Sequence, residues 1–142
     1  MIKELRYNQV FVFGSNILGA HGGGAARQAQ ESFGAVSGIG FGRQGQSYAI
    51  PTLDHNYQKL PLETIKHYLY ELREYAYMNP KEEFLLTPIG TGIAGFTLEE
   101  IKSILPKRLP ENIILVGKIF IRTEGARKEL LSILIDIYMY IY

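Results

Sequence analysis

Apolar residues along this chain form short continuous runs that alternate with longer segments at helical spacing. Four short runs predict strands that are covered on both faces, because their hydrophobicity is continuous rather than alternating. These runs are residues 9–15, 47–53, 83–90 and 112–120. Pro51 lies in the second run and predicts that this strand ends at or near the margin of the sheet.

Apolar residues at helical spacing predict three helices between these strands, over residues 22–34, 60–80 and 97–109. Pro80 ends the second helix, and Thr97 forms a capping box with Glu100 at the start of the third. We expect a further apolar helix or tail over residues 124–142. Alternating strands and helices indicate an α/β fold of stacked layers, and the length fits a single domain over residues 1–142.

Composition and charge exclude several classes of function. The chain has 142 residues and no cysteine, which excludes disulfides and thiolate zinc sites, and its three scattered histidines give no metal-ligand spacing. The formal net charge is +1 with both signs interspersed, so we expect no duplex nucleic acid partner. The most apolar stretch, residues 130–142, is too short to span a bilayer. We therefore expect a cytoplasmic protein with no membrane partner, no metal and no cofactor.

Two groups of glycines follow predicted strands, in a chain with fifteen glycines. One lies in FGSNILGAHGGGAARQA (residues 13–29) and the other in PIGTGIAGF (residues 88–96). Open α/β sheets bind ligands beyond the carboxyl ends of their strands, where backbone N–H groups and helix N-termini suit phosphate oxygens. One such group alone would be an ordinary turn. Two groups at equivalent strand–helix junctions predict a pyrophosphate held between them.

Known phosphate-binding motifs match these two groups only in part. Neither is a P-loop, because no Lys followed by Ser or Thr comes after the glycines. Residues 90–95 match GxGxxG, but no acidic residue ends a following strand at the expected distance. We do not interpret this match as an NAD-binding Rossmann unit.

With these motifs the chain resembles the macro domain family, the ADP-ribose-binding α/β modules. The first loop of that family has an Asn followed by a GGG run, matched here by Asn16 and residues 22–24. Its second loop has a Ser/Thr-Gly-aliphatic-x-Gly-aromatic run, matched by residues 91–96. The resemblance covers residues 9–120, and FVFGSN…GQSYAIPT is similar to small macro-like proteins of phages and bacteria. It implies a phage protein with a three-layer macro-domain-like sandwich, a mixed central sheet with helices on both faces.

The resemblance also implies which residues bind the ligand. Asn16 would hydrogen-bond the distal ribose, the two loops would hold the diphosphate through backbone N–H groups, and Phe96 would pack on the distal ribose. The implied ligand-binding set is Gly14, Ser15, Asn16, Gly22, Gly23, Gly24, Gly90, Thr91, Gly92, Ile93, Ala94, Gly95 and Phe96. Residues 10–16 lack the acidic residue with which the family reads the adenine amino group, and Tyr48 or Tyr57 would have to replace that contact.

Several macro domain families are hydrolases, so candidate catalytic residues follow from the resemblance as well. Ala26 stands where one branch has an acid that helps to position water. Glu31 follows the GGG run at a shorter spacing than in the poly-ADP-ribose glycohydrolases, and it could act as a general acid if burial raised its pKa. Because it lies about two turns beyond Gly24, a solvated surface glutamate is the alternative. His21 and Asp54 are the other candidate acids or bases.

A third glycine-rich stretch, residues 40–48, has two interpretations. Arg43, Gln44 and Gln46 could line the same cleft as the two loops. Alternatively, the stretch is an ordinary hairpin or a flexible loop.

Three functions from different classes remain open at this point. The chain could bind ADP-ribose or a related ADP-ribose-containing nucleotide and so sequester a signal. It could be an ADP-ribosyl hydrolase acting on a macromolecule or a small molecule. It could also be a structural protein that forms a homo-oligomer through its apolar tail. Seven of the ten tyrosines lie in the predicted long helix and the tail, which favours packing over stacking on single-stranded nucleic acid.

Overall fold

The computed structural model describes residues 5–116 as an α/β fold. Its strands are β1 (Gln9–Asn16), β2 (Gly42–Gln44), β3 (Ser47–Leu53), β4 (Glu83–Leu86) and β5 (Ile113–Leu115). Its helices are α1 (Gly24–Ser32), α2 (Leu62–Met78) and α3 (Leu98–Ser103). The tail expected over residues 124–142, and the assembly expected from it, lie outside the described residues.

The five strands form one mixed sheet in the order β2-β3-β1-β4-β5. β1 lies at its centre and pairs in parallel with both β3 and β4, while β5 pairs in parallel with β4. In register, Phe13 of β1 lies beside Ala49 of β3, and Val12 lies beside Leu86 of β4. Only β2 is antiparallel, as the short partner of β3 in a hairpin.

Side chains of β1 alternate between two hydrophobic clusters on opposite faces of the sheet. Val10 and Val12 belong to the larger cluster, which includes buried residues of α2 and α3. Phe11 and Phe13 pack instead with the small residues of α1 and with Phe33. The sheet is therefore covered by α1 on one face and by α2 and α3 on the other. Each large apolar side chain buried in these clusters stabilises the fold by about 1.5–3 kcal/mol.

Strand and helix ends differ from the predicted ones where polar side chains or prolines intervene. β4 ends at Leu86 rather than near residue 90, and the Thr87 hydroxyl then donates to the Val12 carbonyl at 2.7 Å. α3 ends at Ser103 because Pro106 follows closely and disfavours helical backbone before it. The capping box of Thr97 and Glu100 at its start is confirmed.

The prediction from Pro51 concerns the end of β3, while the strand as a whole lies between β2 and β1. Because β2 pairs only with residues 47–49, the end of β3 lies at the margin of the sheet, as predicted. Pro51 pairs with Ser15 of β1, and within the described residues no strand pairs with it on its other side. The missing N–H of Pro51 therefore interrupts no ladder there.

Of the two interpretations of residues 40–48, the structure shows the hairpin rather than a wall of the cleft. Gly45 has a φ of +57° in the turn between β2 and β3. Arg43 makes a bidentate ion pair with Glu82, with both N–O distances at 2.7 Å, which raises the pKa of its guanidinium. Gln44 and Gln46 bind backbone groups of neighbouring segments. These side chains hold the hairpin against the rest of the fold.

Candidate ligand-binding cleft

A cleft opens where the connections after two adjacent parallel strands leave in opposite directions. The chain after β1 leads to α1 on one face, and the chain after β4 leads to α3 on the other. Such a switch point creates a crevice at the carboxyl ends of the strands. A cavity of about 240 Å³ lies there. It is lined by Gly14, Ser15, Asn16, Ala20, Gly22, Gly23, Gly24, Ala25, Ala26, Thr52, Leu53, Tyr57, Gly90, Gly92, Ile93 and Ala94.

The N-terminus of α1 forms one wall of this cleft. The helix has Gly23 as its N-cap, with no side-chain capping hydrogen bond and no acidic residue in its first turn. The first N–H groups of a helix have no acceptor within the helix, and they carry the positive end of its dipole. Here those groups belong to Gly24, Ala25 and Ala26, which all line the cleft. This wall presents N–H donors that a bound anion can satisfy.

Gly22 and Gly23 leave space in this wall that the fold does not require. Neither has a φ in the left-handed region, and a Cβ built on either would meet no atom within 4 Å. Backbone conformation and packing would thus tolerate a side chain at both positions. Since both residues line the cleft, the bare backbone leaves room for a ligand to approach.

Gly90 in the second loop, unlike Gly22 and Gly23, has no room for a side chain. Its φ is +76°, and a Cβ there would lie 3.0 Å from Phe96 Cδ2 and 3.2 Å from Ile101 Cδ1. The Phe96 N–H donates to the Gly90 carbonyl at 2.9 Å and closes the loop. Glycine is therefore required at position 90 by the fold itself.

The second loop also carries N–H groups without protein acceptors. Within residues 5–116, the N–H groups of Gly92, Ile93 and Ala94 make no hydrogen bond. These three residues line the cleft together with the start of α1. Consecutive free amides of this kind form an anion-binding concavity.

The lining of the cleft carries no formal charge among the residues that the structure describes. It contains no carboxylate, no histidine, no lysine and no arginine. A bound anion would meet amide donors and a helix dipole, with no carboxylate to repel it. Nor does the described part of the chain contain three or more His, Asp or Glu side chains grouped as a metal site.

Most of the expected ligand-binding residues line this cleft, with Thr91, Gly95 and Phe96 as the exceptions. The Thr91 hydroxyl donates to the Pro88 carbonyl at 2.7 Å, inside the loop. Phe96 is buried in the larger hydrophobic cluster. The Lys59 ammonium lies 4.8 Å from the centre of its ring. Phe96 thus supports Gly90 from the core, rather than lining the cleft where a ribose could pack on it.

Asn16 and Ser15 line the cleft and also hold the first loop in shape. The Asn16 amide donates to the Ala20 carbonyl at 2.8 Å, and its Oδ1 accepts from the Ala20 N–H at 3.0 Å. The Ser15 hydroxyl donates to the Gly40 carbonyl. Asn16 retains one N–H on its amide nitrogen for a further acceptor.

His21 is buried beside the first loop instead of lining the cleft, with 5 % of its surface exposed. Its Nε2 lies 3.1 Å from the Val36 carbonyl, which can only accept, so Nε2 carries a proton. The ring meets Phe13 edge-on at 5.4 Å between centroids. Within the described residues the buried Nδ1 has no hydrogen-bond partner. The contacts of His21 attach the first loop to the segment after α1.

Glu31 and Asp54 also lie outside the lining of the cleft. Glu31 accepts a 2.7 Å hydrogen bond from Arg27 on the exposed face of α1, which confirms the alternative of a surface glutamate. The Asp54 carboxylate accepts from the N–H groups of Gln58 and Asn56, at 3.0 and 2.8 Å, and these bonds lower its pKa. Asp54 organises the turn that follows β3.

Several lining residues were not among the expected ligand-binding residues: Ala20, Ala25, Ala26, Thr52 and Leu53. Thr52 and Leu53 end β3, whose carboxyl end meets the same edge of the sheet as that of β1. The place of Thr52 and Leu53 at the cleft could therefore have been predicted from the predicted strands and the rule that parallel sheets bind ligands beyond the carboxyl ends of their strands. The alanines carry no such signal in the sequence, because only the path of the first loop at Ala20 and the helix start at Ala25 and Ala26 bring them to the cleft.

Three comparisons with known proteins, against family models, curated proteins and solved structures, found no match to this chain. The functional argument therefore rests on the residues and on the geometry of the cleft.

None of the helices in the described part of the chain has the length and apolar character needed to cross a bilayer.

Proposed function

We propose that this protein is a macro-domain-like module that binds ADP-ribose or a related ADP-ribose-containing nucleotide in the cleft, and that it sequesters such a signal in the cytoplasm. The observation that carries the proposal is the pairing of two sets of N–H donors around one uncharged cleft. One set begins α1, and the other lies in residues 92–94.

A diphosphate fits this arrangement because it offers acceptor oxygens to both walls at once. Helix N-termini and successive free amides are recurrent phosphate-binding devices. Here they flank the carboxyl end of β1, with Gly22 and Gly23 leaving the backbone accessible. Desolvated amide donors bind phosphate oxygens with charge-assisted hydrogen bonds, which are stronger than neutral ones.

The same lining favours binding over hydrolysis. A general acid or base must come within hydrogen-bond reach of the reacting group. The three candidates, His21, Glu31 and Asp54, do not line the cleft and are engaged in contacts elsewhere. Within residues 5–116, none of these three candidates is therefore positioned to move a proton for a phosphoesterase or glycohydrolase reaction in this cleft.

Titration calorimetry with ADP-ribose tests the proposal, with AMP and NAD as comparators. We expect saturable binding that is selective for ADP-ribose. The Gly92→Glu variant should lose this binding, because it adds both bulk and a negative charge beside the diphosphate. Gly22→Val should weaken binding by bulk alone, and Gln30→Val, on the exposed surface of α1, is the matched control.

Two results would contradict the proposal. The first is wild-type protein that releases no heat with any of the three ligands. The second is a Gly92→Glu variant that is folded by circular dichroism and binds ADP-ribose as tightly as wild type.

A further inference from the structure

The size of the cleft indicates that it encloses only part of the proposed ligand. Its volume of about 240 Å³ is below the roughly 300–1,000 Å³ of pockets that enclose drug-sized ligands. A dinucleotide-sized molecule held by its diphosphate must therefore extend over the rim. Two apolar side chains are exposed at that rim, Tyr57 at 54 % and Ile93 at 82 %.

Tyr57 has an unusual backbone conformation for a residue with a large side chain. Its φ is +60°, and it is the only non-glycine residue with a positive φ in residues 5–116. This region is strained for bulky residues. Strain of this kind persists only where the surrounding structure imposes it, and it concentrates at functional sites.

The turn after β3 imposes this conformation through several hydrogen bonds. The Tyr57 N–H donates to the Asp54 carbonyl at 3.0 Å, and the Asp54 N–H donates to the Gln58 carbonyl at 2.8 Å. The Asp54 carboxylate binds the N–H groups on either side of Tyr57. An antiparallel bridge between Leu53 and Lys59 closes the loop.

The position of Tyr57 in the fold places its ring beside the diphosphate site. β3 and β4 flank β1, so the loops that carry Tyr57 and Ile93 flank the carboxyl end of β1. Tyr48, the other tyrosine considered for a base contact, is buried in the core and packs on Tyr75. Among the described residues that line the cleft, Tyr57 therefore supplies the aromatic ring available to a bound ligand.

We propose that Tyr57 is the platform on which the base of the bound nucleotide stacks, and that Asp54 is the residue that positions it. The inference rests on the proposed function and adds to it how the base of the nucleotide is recognised. Stacking uses the flat face of a base, which every base offers. Because no carboxylate lines the cleft in the described residues, the adenine amino group meets no charged acceptor there. The site therefore selects nucleoside diphosphates with little discrimination between bases.

The test compares ligands with and without a base on matched variants. The probes are ADP-ribose, ADP, GDP and inorganic pyrophosphate, titrated into wild type, Tyr57→Leu and Tyr57→Phe. Since stacking on an aromatic side chain contributes about 1–3 kcal/mol per base, we expect Tyr57→Leu to lose roughly 5- to 150-fold in affinity for ADP-ribose and ADP. Affinity for pyrophosphate should stay within about twofold, and Tyr57→Phe should bind as wild type does.

The positioning role of Asp54 is tested by comparing a disruptive with a conservative substitution. Asp54→Ala removes the acceptor that holds the turn and should weaken ADP binding, while leaving pyrophosphate binding intact. Asp54→Asn keeps a side-chain carbonyl for the same turn and should restore most of the ADP affinity. A residue that merely stabilised the fold would change both ligands alike.

Several outcomes would overturn this inference. Equal affinity of Tyr57→Leu and wild type for ADP-ribose would refute the platform, as would an equal loss for ADP-ribose and pyrophosphate. A strong preference for ADP over GDP would refute recognition by stacking alone. Wild-type protein that binds pyrophosphate but no nucleotide would refute stacking on Tyr57 and would still support a diphosphate site in the cleft. Binding of neither would refute the proposed function as well.

Discussion

The substitution Gly90→Ala should destabilise the fold more than any other single methyl added to a cleft glycine. Two effects act together at this position. A left-handed residue with a side chain costs about 1–2 kcal/mol, and a Cβ only 3.0 Å from Phe96 Cδ2 and 3.2 Å from Ile101 Cδ1 adds about 1–3 kcal/mol of overpacking. Alanine also restricts the unfolded chain, which offsets about 0.4–1 kcal/mol. We expect a net loss of about 2–4 kcal/mol.

Two other glycines separate these effects. Gly38 has a φ of +93° but open space around its Cβ position, so Gly38→Ala should cost only the backbone strain, about 1 kcal/mol. Gly22 has neither a left-handed φ nor a neighbour within 4 Å, so Gly22→Ala should change the free energy of unfolding by less than about 0.5 kcal/mol.

Urea unfolding followed by circular dichroism measures all three variants, with the m-value as the check on two-state behaviour. The expected order of stability is Gly22→Ala, then Gly38→Ala, then Gly90→Ala. If Gly90→Ala were no less stable than Gly38→Ala, the contact with Phe96 would carry no energy, and the assignment of Gly90 to the fold rather than to the ligand would be wrong.

Three further substitutions have expected outcomes. Arg43→Lys should cost about 1–2 kcal/mol in urea unfolding, because lysine cannot make the bidentate pair with Glu82; Arg27→Lys, in an exposed pair, is the control with almost no effect. Asp54→Asn should destabilise the fold at pH 7 but not at a pH well below the lowered pKa of this carboxyl, because the stability that the carboxylate contributes is lost as the pH falls through that pKa; equal losses at both pH values would contradict this. Tyr57→Gly should raise the unfolding free energy by roughly 1 kcal/mol, since it relieves the left-handed strain, while nucleotide binding falls; a loss of stability would mean that the turn is unstrained.

Sequence patterns predicted four of the five strands and the three helices, because most of these elements follow from local hydrophobicity. β3 has the predicted bounds, and β1 extends one residue beyond its predicted end. The early end of β4 was not predictable in the same way, since it depends on the bond from Thr87 to the Val12 carbonyl on a neighbouring strand. Contacts between segments that are distant in sequence determine where such a strand ends, and these contacts cannot be inferred from one apolar run.

The two glycine-rich loops were predictable as neighbours, because parallel strands bring their carboxyl ends to one edge. The side chains around them were not. Phe96 and His21 belong to the two loops in sequence, yet both are buried away from the cleft. The turn at Gly90 has a left-handed backbone conformation, and the hydrogen bond from the Phe96 N–H to the Gly90 carbonyl brings Phe96 back to the core. The sequence does not show directly where such a loop closes. The same holds for Tyr57, whose conformation depends on the turn around Asp54.

The donors proposed for the diphosphate belong to the main chain, and this has a consequence for how such a site responds to mutation. Alanine scanning removes side chains and leaves every amide in place, so a scan across the two loops would miss the groups that bind. Only proline deletes an N–H group. Residues such as Ile93 could therefore drift through many identities over evolutionary time while the binding groups stay intact. The proposed site thus depends on the backbone conformation more than on the identity of the side chains. The residues held constant would be those that maintain this conformation, such as Gly90.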